Sequence, residues 1–193
     1  MAFTDHILAD GHRILTGQLP QSLCPGPDEF AAMWQLHPPQ FTISRAYGFQ
    51  RPRSRWEKAF GRDYPFSGGI AKAAPVPALF QPVLEWCRER IHDSINGLFV
   101  NWHDGALGHY HPRHRDKDKD LLPDSPIVTI SFGEERILRL RPWPAADAKT
   151  DFVIMHGTVV VLPFQTNRHW THEIPRFKRY QGKRISVTAR SFQ

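Results

Sequence analysis

Cysteine is scarce in this chain: Cys24 and Cys87 are the only two among 193 residues. Two thiols cannot build the disulfide framework of a small secreted domain, and they fit a reducing compartment. Long apolar runs are missing too. Nothing approaches the roughly 20 consecutive apolar residues of a membrane-spanning helix, and no N-terminal stretch has the form of a signal peptide. The expected location is therefore cytoplasmic, with no membrane partner. There is no internal repeat and no low-complexity tract, which leaves no basis for a repeat architecture or a disordered tail.

The hydrophobic content of 40% is enough for one domain with a sizeable core, expected to span 1–193. The 17 prolines and 13 glycines are scattered rather than clustered, as in a β-rich fold with many loops. A net charge of +6 and a pI of about 9.6 favour a polyanionic partner.

Against that background one constellation stands out: His114-Arg115-Asp116, followed far downstream by His172 in the run Arg168-His169-Trp170-Thr171-His172-Glu173. Two imidazoles and one carboxylate can hold one face of an octahedral metal and leave the other positions open, the ligand set of a non-haem iron(II) oxygenase. With 11 histidines in the chain, a chance His-x-Asp pair in a charged loop is the plain alternative, and the surroundings must decide. His109 and His111 cannot supply the pair, because the residues two positions on are His111 and Arg113. After Asp116 comes an acidic turn, Lys117–Asp120, and then Ser125–Gly133, where apolar and small polar residues alternate as in a strand with one buried face. His156–Pro163 reads as a turn at Gly157 entering a β-branched strand, which makes His156 structural. In Arg184–Arg190, a strand would put Arg184, Ser186, Thr188 and Arg190 on one face and Ile185, Val187 and Ala189 on the other. Two arginines beside a metal suit a dicarboxylate, because a guanidinium grips a carboxylate with two bonds.

This series, with Asn101-x-x-Asp104-Gly105 upstream and Ser125-Pro126-Ile127 after the acidic turn, resembles the AlkB family of 2-oxoglutarate/iron(II) dioxygenases from about residue 45 to residue 190. The resemblance implies a mainly β fold with flanking helices (α+β): a double-stranded β-helix, or jelly-roll, core over 95–193, N-terminal helices and a nucleotide-recognition lid over 37–69. It implies iron(II), 2-oxoglutarate and O₂ as cofactor and cosubstrates, and oxidative removal of alkyl groups from nucleobases, that is, direct-reversal DNA repair. His114, Asp116 and His172 would be the catalytic metal ligands. Family spacing to the arginine pair favours His172 over His169, which reads as exposed or as a neighbour of the ligands. Arg184 would take the distal carboxylate of 2-oxoglutarate and Arg190 its keto-acid end, with Asn101 helping. Many members carry a tyrosine where this chain has His103, whose imidazole could donate the same bond. Ala189 replaces a frequent phenylalanine, which affects local packing.

Residues 37–69 mix cations with aromatics: Arg45-Ala46-Tyr47-Gly48, Arg51-Pro52-Arg53-Ser54-Arg55-Trp56 and Tyr64-Pro65-Phe66-Ser67-Gly68. Cations can meet phosphate and aromatic faces can stack on bases; the same side chains could also simply pack this segment on the sheet. By resemblance Phe66 would stack on the substrate base, Tyr64 would hydrogen-bond at the pocket wall with Ser67 beside it, and Asp118 would contact the base's exocyclic nitrogen unless it is merely solvated. Two amphipathic helices are predicted, from Pro27 or Asp28 to about Gln35 and over about Pro77–Ser94, where Leu79, Val83, Trp86 and Ile91 form an apolar stripe.

The expected partner is alkylated nucleic acid, DNA or RNA, and the chain is expected to act as a monomer. The alternative is a 2-oxoglutarate-dependent hydroxylase or demethylase acting on RNA marks, protein or a small metabolite. The complete ligand and arginine set argues against a non-catalytic binding module, and a zinc hydrolase would leave the arginine pair without a purpose.

Overall fold

The alternating stretches of the sequence become strands in the computed structural model, which describes residues 2–46, 49–66, 69–145 and 147–193. The larger sheet runs in spatial order β1 (Thr4–Ile7), β2 (Arg13–Gln18), β13 (Thr158–Leu162), β10 (Ile127–Gly133), β15 (Lys183–Arg190), β8 (Gly97–Asp104) and β5 (Trp56–Phe60). The smaller sheet runs β12 (Thr150–Ile154), β11 (Arg136–Pro142), β14 (Trp170–Ile174) and β9 (His111–His114). Every pairing among these strands is antiparallel. Two small hairpins, β3 (Ile43–Ala46) with β4 (Phe49–Pro52) and β6 (Tyr64–Phe66) with β7 (Gly69–Ala71), occupy the segment around the expected lid. The larger sheet thus takes β1, β2 and β5 from outside residues 95–193.

The two sheets form a jelly roll with an apolar layer between them, including Ile14, Ile127, Leu138, Leu140, Val160, Leu162, Trp170 and Ile174. The back of the larger sheet is covered by α1 (Pro27–Trp34) and α2 (Gln81–Arg90). Met33, Trp34, Val83, Leu84, Trp86 and Cys87 pack there against Val100, Trp102, Val128, Ile130, Phe132, Ile185 and Val187. Each fully buried aliphatic side chain contributes about 1.5–3 kcal/mol. A sheet buried on both faces explains why β13 reads as an unbroken apolar run: Val159 and Val161 face the helices while Val160 and Leu162 face the smaller sheet.

The helix expected over Pro77–Ser94 is shorter. A 3₁₀ turn at Ala78–Phe80 leads into α2, with Pro82 in its first turn, where its missing N–H costs nothing. The Cys87 carbonyl accepts from both Ile91 (3.0 Å) and His92 (3.1 Å), closing the helix, after which Ile95 turns into the core. No helix among the described residues is long and apolar enough to cross a membrane.

Candidate active site

Strand pairing assembles the site. In the smaller sheet His114 on β9 is the direct cross-strand partner of His172 on β14, and their rings lie 4.2 Å apart between centroids. Asp116 follows two residues after β9, where its peptide is clamped by Asn167. The Asp116 N–H donates to Asn167 Oδ1, and Asn167 Nδ2 donates to the Asp116 carbonyl, both at 3.0 Å. Asn167 lies in α3 (Phe164–His169), just ahead of β14. One ligand atom from each of His114, Asp116 and His172 falls within 4.8 Å of the others. His169 is exposed and faces His12 at 3.2 Å.

Opposite them, β15 turns Arg184, Ser186, Thr188 and Arg190 toward the smaller sheet while Ile185, Val187 and Ala189 enter the helix-side core, the alternation the sequence predicts. Arg190 donates through Nε (2.9 Å) and Nη2 (2.5 Å) to Oδ2 of Asp116, leaving Nη1 buried and unpartnered. Arg184 donates to Ser131 Oγ (2.8 Å). Both line a cavity of about 170 Å³ between the sheets, which also takes in Asn101, His114, Asp116, His172, Tyr64 and Phe66. That is ample for a small molecule, since a single water needs only roughly 10–15 Å³.

Burial would raise the Asp116 pKa, but Arg190, with help from the two histidines, outweighs it and holds the carboxyl well below its usual range. Burial, with His114 beside it, pushes His172 down to about 3, so its ring is neutral and its lone pair is available. Burial and the charge of Arg184 likewise hold His103 well below its ordinary value. His114 places Nδ1 2.9 Å from the Pro112 carbonyl; the carbonyl can only accept, which leaves Nε2 as the lone-pair atom, 3.5 Å from Asp116 Oδ1.

Several expected residues sit differently. His103 is not on the cavity wall. It pairs in register with Arg184 and stands behind it, Nδ1 3.4 Å from a guanidinium nitrogen. Asp118 begins a 3₁₀ turn, and its carboxylate is engaged by Arg168 at 3.2 Å, away from the cavity lining. Ser67, with Gly68, Tyr47 and Gly48, lies outside the described residues. Tyr64 is held between Phe99 (4.0 Å between centroids, 19°) and the Arg190 guanidinium (4.8 Å), its hydroxyl 3.4 Å from Asp116 Oδ1. Phe66 carries the Arg53 guanidinium over its ring at 4.7 Å. Trp56 is spent on packing, between His37 (4.2 Å) and Phe41 (5.3 Å).

The reading of the sequence missed Arg55, Glu57, His111 and Asn167. Arg55 is 1% exposed. It donates to Asn101 Oδ1 (2.7 Å) and His111 Nε2 (2.8 Å) and pairs with Glu57 (3.1 Å). Arg53 and Arg55 lie in the bend between β4 and β5, and Glu57 is the second residue of β5.

A family profile described as the 2OG-Fe(II) oxygenase superfamily matches residues 40–190. The chain belongs to this superfamily. Its similarity within the superfamily is to AlkB-like members. The mouse DNA oxidative demethylase ALKBH2 is 30% identical over 141 residues, covering 67% of this chain and 57% of that protein. Human alkB homolog 3, an alpha-ketoglutarate-dependent dioxygenase, is 23% identical over 155 residues, covering 74% of this chain and 52% of that protein. The chain spans about half the length of the curated relatives it matches. Among solved structures, that of OsALKBH1 aligns with a TM-score of 0.63 at 14% identity over 97% of this chain and 100% of that one, which establishes likeness of fold.

The residues present fit the superfamily's iron(II) and 2-oxoglutarate. The donors are two imidazoles and a carboxylate, the facial set of non-haem iron(II). The same cavity is lined by three buried guanidiniums, of which Arg55 is engaged by Asn101, His111 and Glu57, while Arg184 and Arg190, the latter with an unpartnered nitrogen, suit a dicarboxylate.

Proposed function

We propose that this chain is a 2-oxoglutarate- and iron(II)-dependent dioxygenase that removes N-linked alkyl groups from bases of nucleic acid. The observation that carries this reading is the meeting of three metal-ligating groups with the buried Arg184 and Arg190 on the wall of one cavity, with Tyr64 and Phe66 lining the same space. His114, Asp116 and His172 would hold iron(II). Arg184, backed by neutral His103 and Ser131, would bind one carboxylate of 2-oxoglutarate. Arg190 would reach its other end while keeping Asp116 oriented, and the Asn101 amide would add a donor. Iron(II), 2-oxoglutarate and O₂ together supply the oxidation of the alkyl carbon, which then leaves the base nitrogen as an aldehyde.

The protein's part is to orient and to exclude water. Tyr64, fixed between Phe99 and Arg190, would wall the space taken by the alkylated base, and Phe66 would stack on it. A base inside a duplex cannot reach ligands set between two sheets, so it must be flipped out or presented on a single strand. The relatives named DNA oxidative demethylases support this substrate class.

The test is succinate formation with iron(II), 2-oxoglutarate and a single strand bearing 1-methyladenine, beside its unmethylated twin. Stimulation by the methylated strand alone is expected, with His172→Ala and Asp116→Ala both inactive. Full turnover in either variant overturns the ligand set. Turnover indifferent to both strands turns the substrate toward RNA marks, protein or a metabolite.

A further inference from the structure

Two parts of the cavity rim carry the same device. On one, Arg53 lies over the ring of Phe66. On the other, Arg115, between the candidate ligands His114 and Asp116, lies 4.9 Å over the ring of Trp143. Arg53, Phe66 and Arg115 all line the cavity; Trp143 sits one side chain further out, at the end of β11, and is 50% exposed. Such a ring gains nothing from the core and offers an open face beside the mouth.

The Trp143 lip is firmly held. The Trp143 N–H donates to the His169 carbonyl at 2.8 Å, three residues before His172. Arg115 donates to the Arg168 carbonyl at 2.5 Å. Arg113 donates to Thr171 Oγ1 (2.7 Å) and to the Pro142 carbonyl (3.4 Å), joining β9, β14 and the end of β11. The lip is also cationic: Arg115, Lys117 and Arg168 are exposed there, and Asp118 is already paired to Arg168. A held indole face beside clustered cations matches what a single-stranded nucleic acid presents, bases with π faces strung on phosphates.

We propose that Trp143 and Arg115 form a second stacking lip, holding a nucleotide adjacent to the one whose base enters the cavity. It rests on the nucleic-acid reading above and extends it, so that a strand crossing the mouth would meet an aromatic–arginine stack at Phe66 and again at Trp143.

The test is binding of a fluorescent unmethylated single-stranded dodecamer at several salt concentrations. Removing one base stack in Trp143→Ala should weaken binding roughly 5- to 100-fold, while Trp143→Phe, which keeps a stacking face, stays close to wild type. Arg115→Gln should lower the dependence of log Kd on log salt by about one. Succinate formed without nucleic acid should be unchanged in Trp143→Ala. Undiminished binding by Trp143→Ala overturns the lip, and the proposed function survives if wild type still acts on the methylated strand. Loss of strand-free turnover in Trp143→Ala also overturns it, by showing that the residue acts through the site or the fold. Wild type that neither binds nor acts on any strand overturns both.

Discussion

Arg55 donates from Nε to the side-chain oxygen of Asn101, and a guanidinium has no acceptor to offer in return. The amide of Asn101 must therefore keep its oxygen toward Arg55, which leaves its NH₂ group for the cavity as a donor. Glu57 and His111 hold the guanidinium in that pose. Arg55→Lys keeps the charge opposite Glu57 but cannot reach Asn101 and His111 together. With Asn101 free to turn, the KM for 2-oxoglutarate should rise about 5- to 30-fold, ~1–2 kcal/mol, with kcat less affected; steady-state kinetics decide it, and an unchanged KM would show that Asn101 holds its pose unaided. Residues of this kind were hard to read in advance. Arg184 and Arg190 were legible because they alternate with Ile185, Val187 and Ala189 on a strand with one plainly apolar face. Arg55 sits in a run of three arginines that, as sequence, looks like a phosphate-binding patch. Its inward pose shows only in the fold, where Glu57 pairs opposite Asn101 and the guanidinium, just ahead of β5, engages Asn101, His111 and Glu57. Asn167 gave no signal at all, since its partners are backbone atoms of a distant loop.

At the scale of elements, β10 ends at Gly133, whose φ is +88°. A Cβ there would strike the Lys183 carbonyl and lie 2.8 Å from the Phe30 ring. Gly133 pairs in register with Arg184, so this close approach sets where β15 begins and how Arg184 enters the cavity. Gly133→Ala should cost about 1–3 kcal/mol from the left-handed backbone conformation, with more from the overlap. Thermal unfolding would check it; an unchanged Tm would mean that the β10–β15 corner is more compliant than its spacing implies. The elements themselves were well marked. β10 and β13 fall within the predicted strands, β15 starts one residue before its predicted Arg184, and α1 starts at Pro27, one of the two expected positions. The second helix was overextended, because the apolar stripe continues through Ile91 although the hydrogen-bonding pattern has already closed at Cys87. β1 and β2 went unread. The place of β2 between β1 and β13, which only the finished sheet reveals, buries Ile14 against the smaller sheet.

For the molecule as a whole, Cys87 reports on the integrity of the helix-side core. Burial pushes its thiol up to about 12, against an ordinary value of about 8.5. The folded value is raised, so the thiol's contribution to stability is complete below about pH 8.5 and is lost as pH rises from there through 12. Urea midpoints should fall across that window, less so in Cys87→Ala. At neutral pH a thiol reagent should modify only Cys24 in the folded protein and both cysteines in urea; equal rates without denaturant would mean that the helix layer opens readily. The architecture was legible in its β-rich core and flanking helices; the path of 37–69 was not, because aromatics that stack on one another, as Trp56 does with His37 and Phe41, have the same composition as aromatics awaiting a base. The direct pairing of His114 with His172 has one more consequence. Facing residues in an antiparallel ladder stand about 4.5–5.5 Å apart whatever their side chains, so the gap between the two imidazoles is gauged by peptide geometry common to every such sheet. Chain inserted at the tip between β11 and β12 would leave that gauge untouched, whereas a one-residue slip of β14 would turn His172 outward and dismantle the ligand set in a single step.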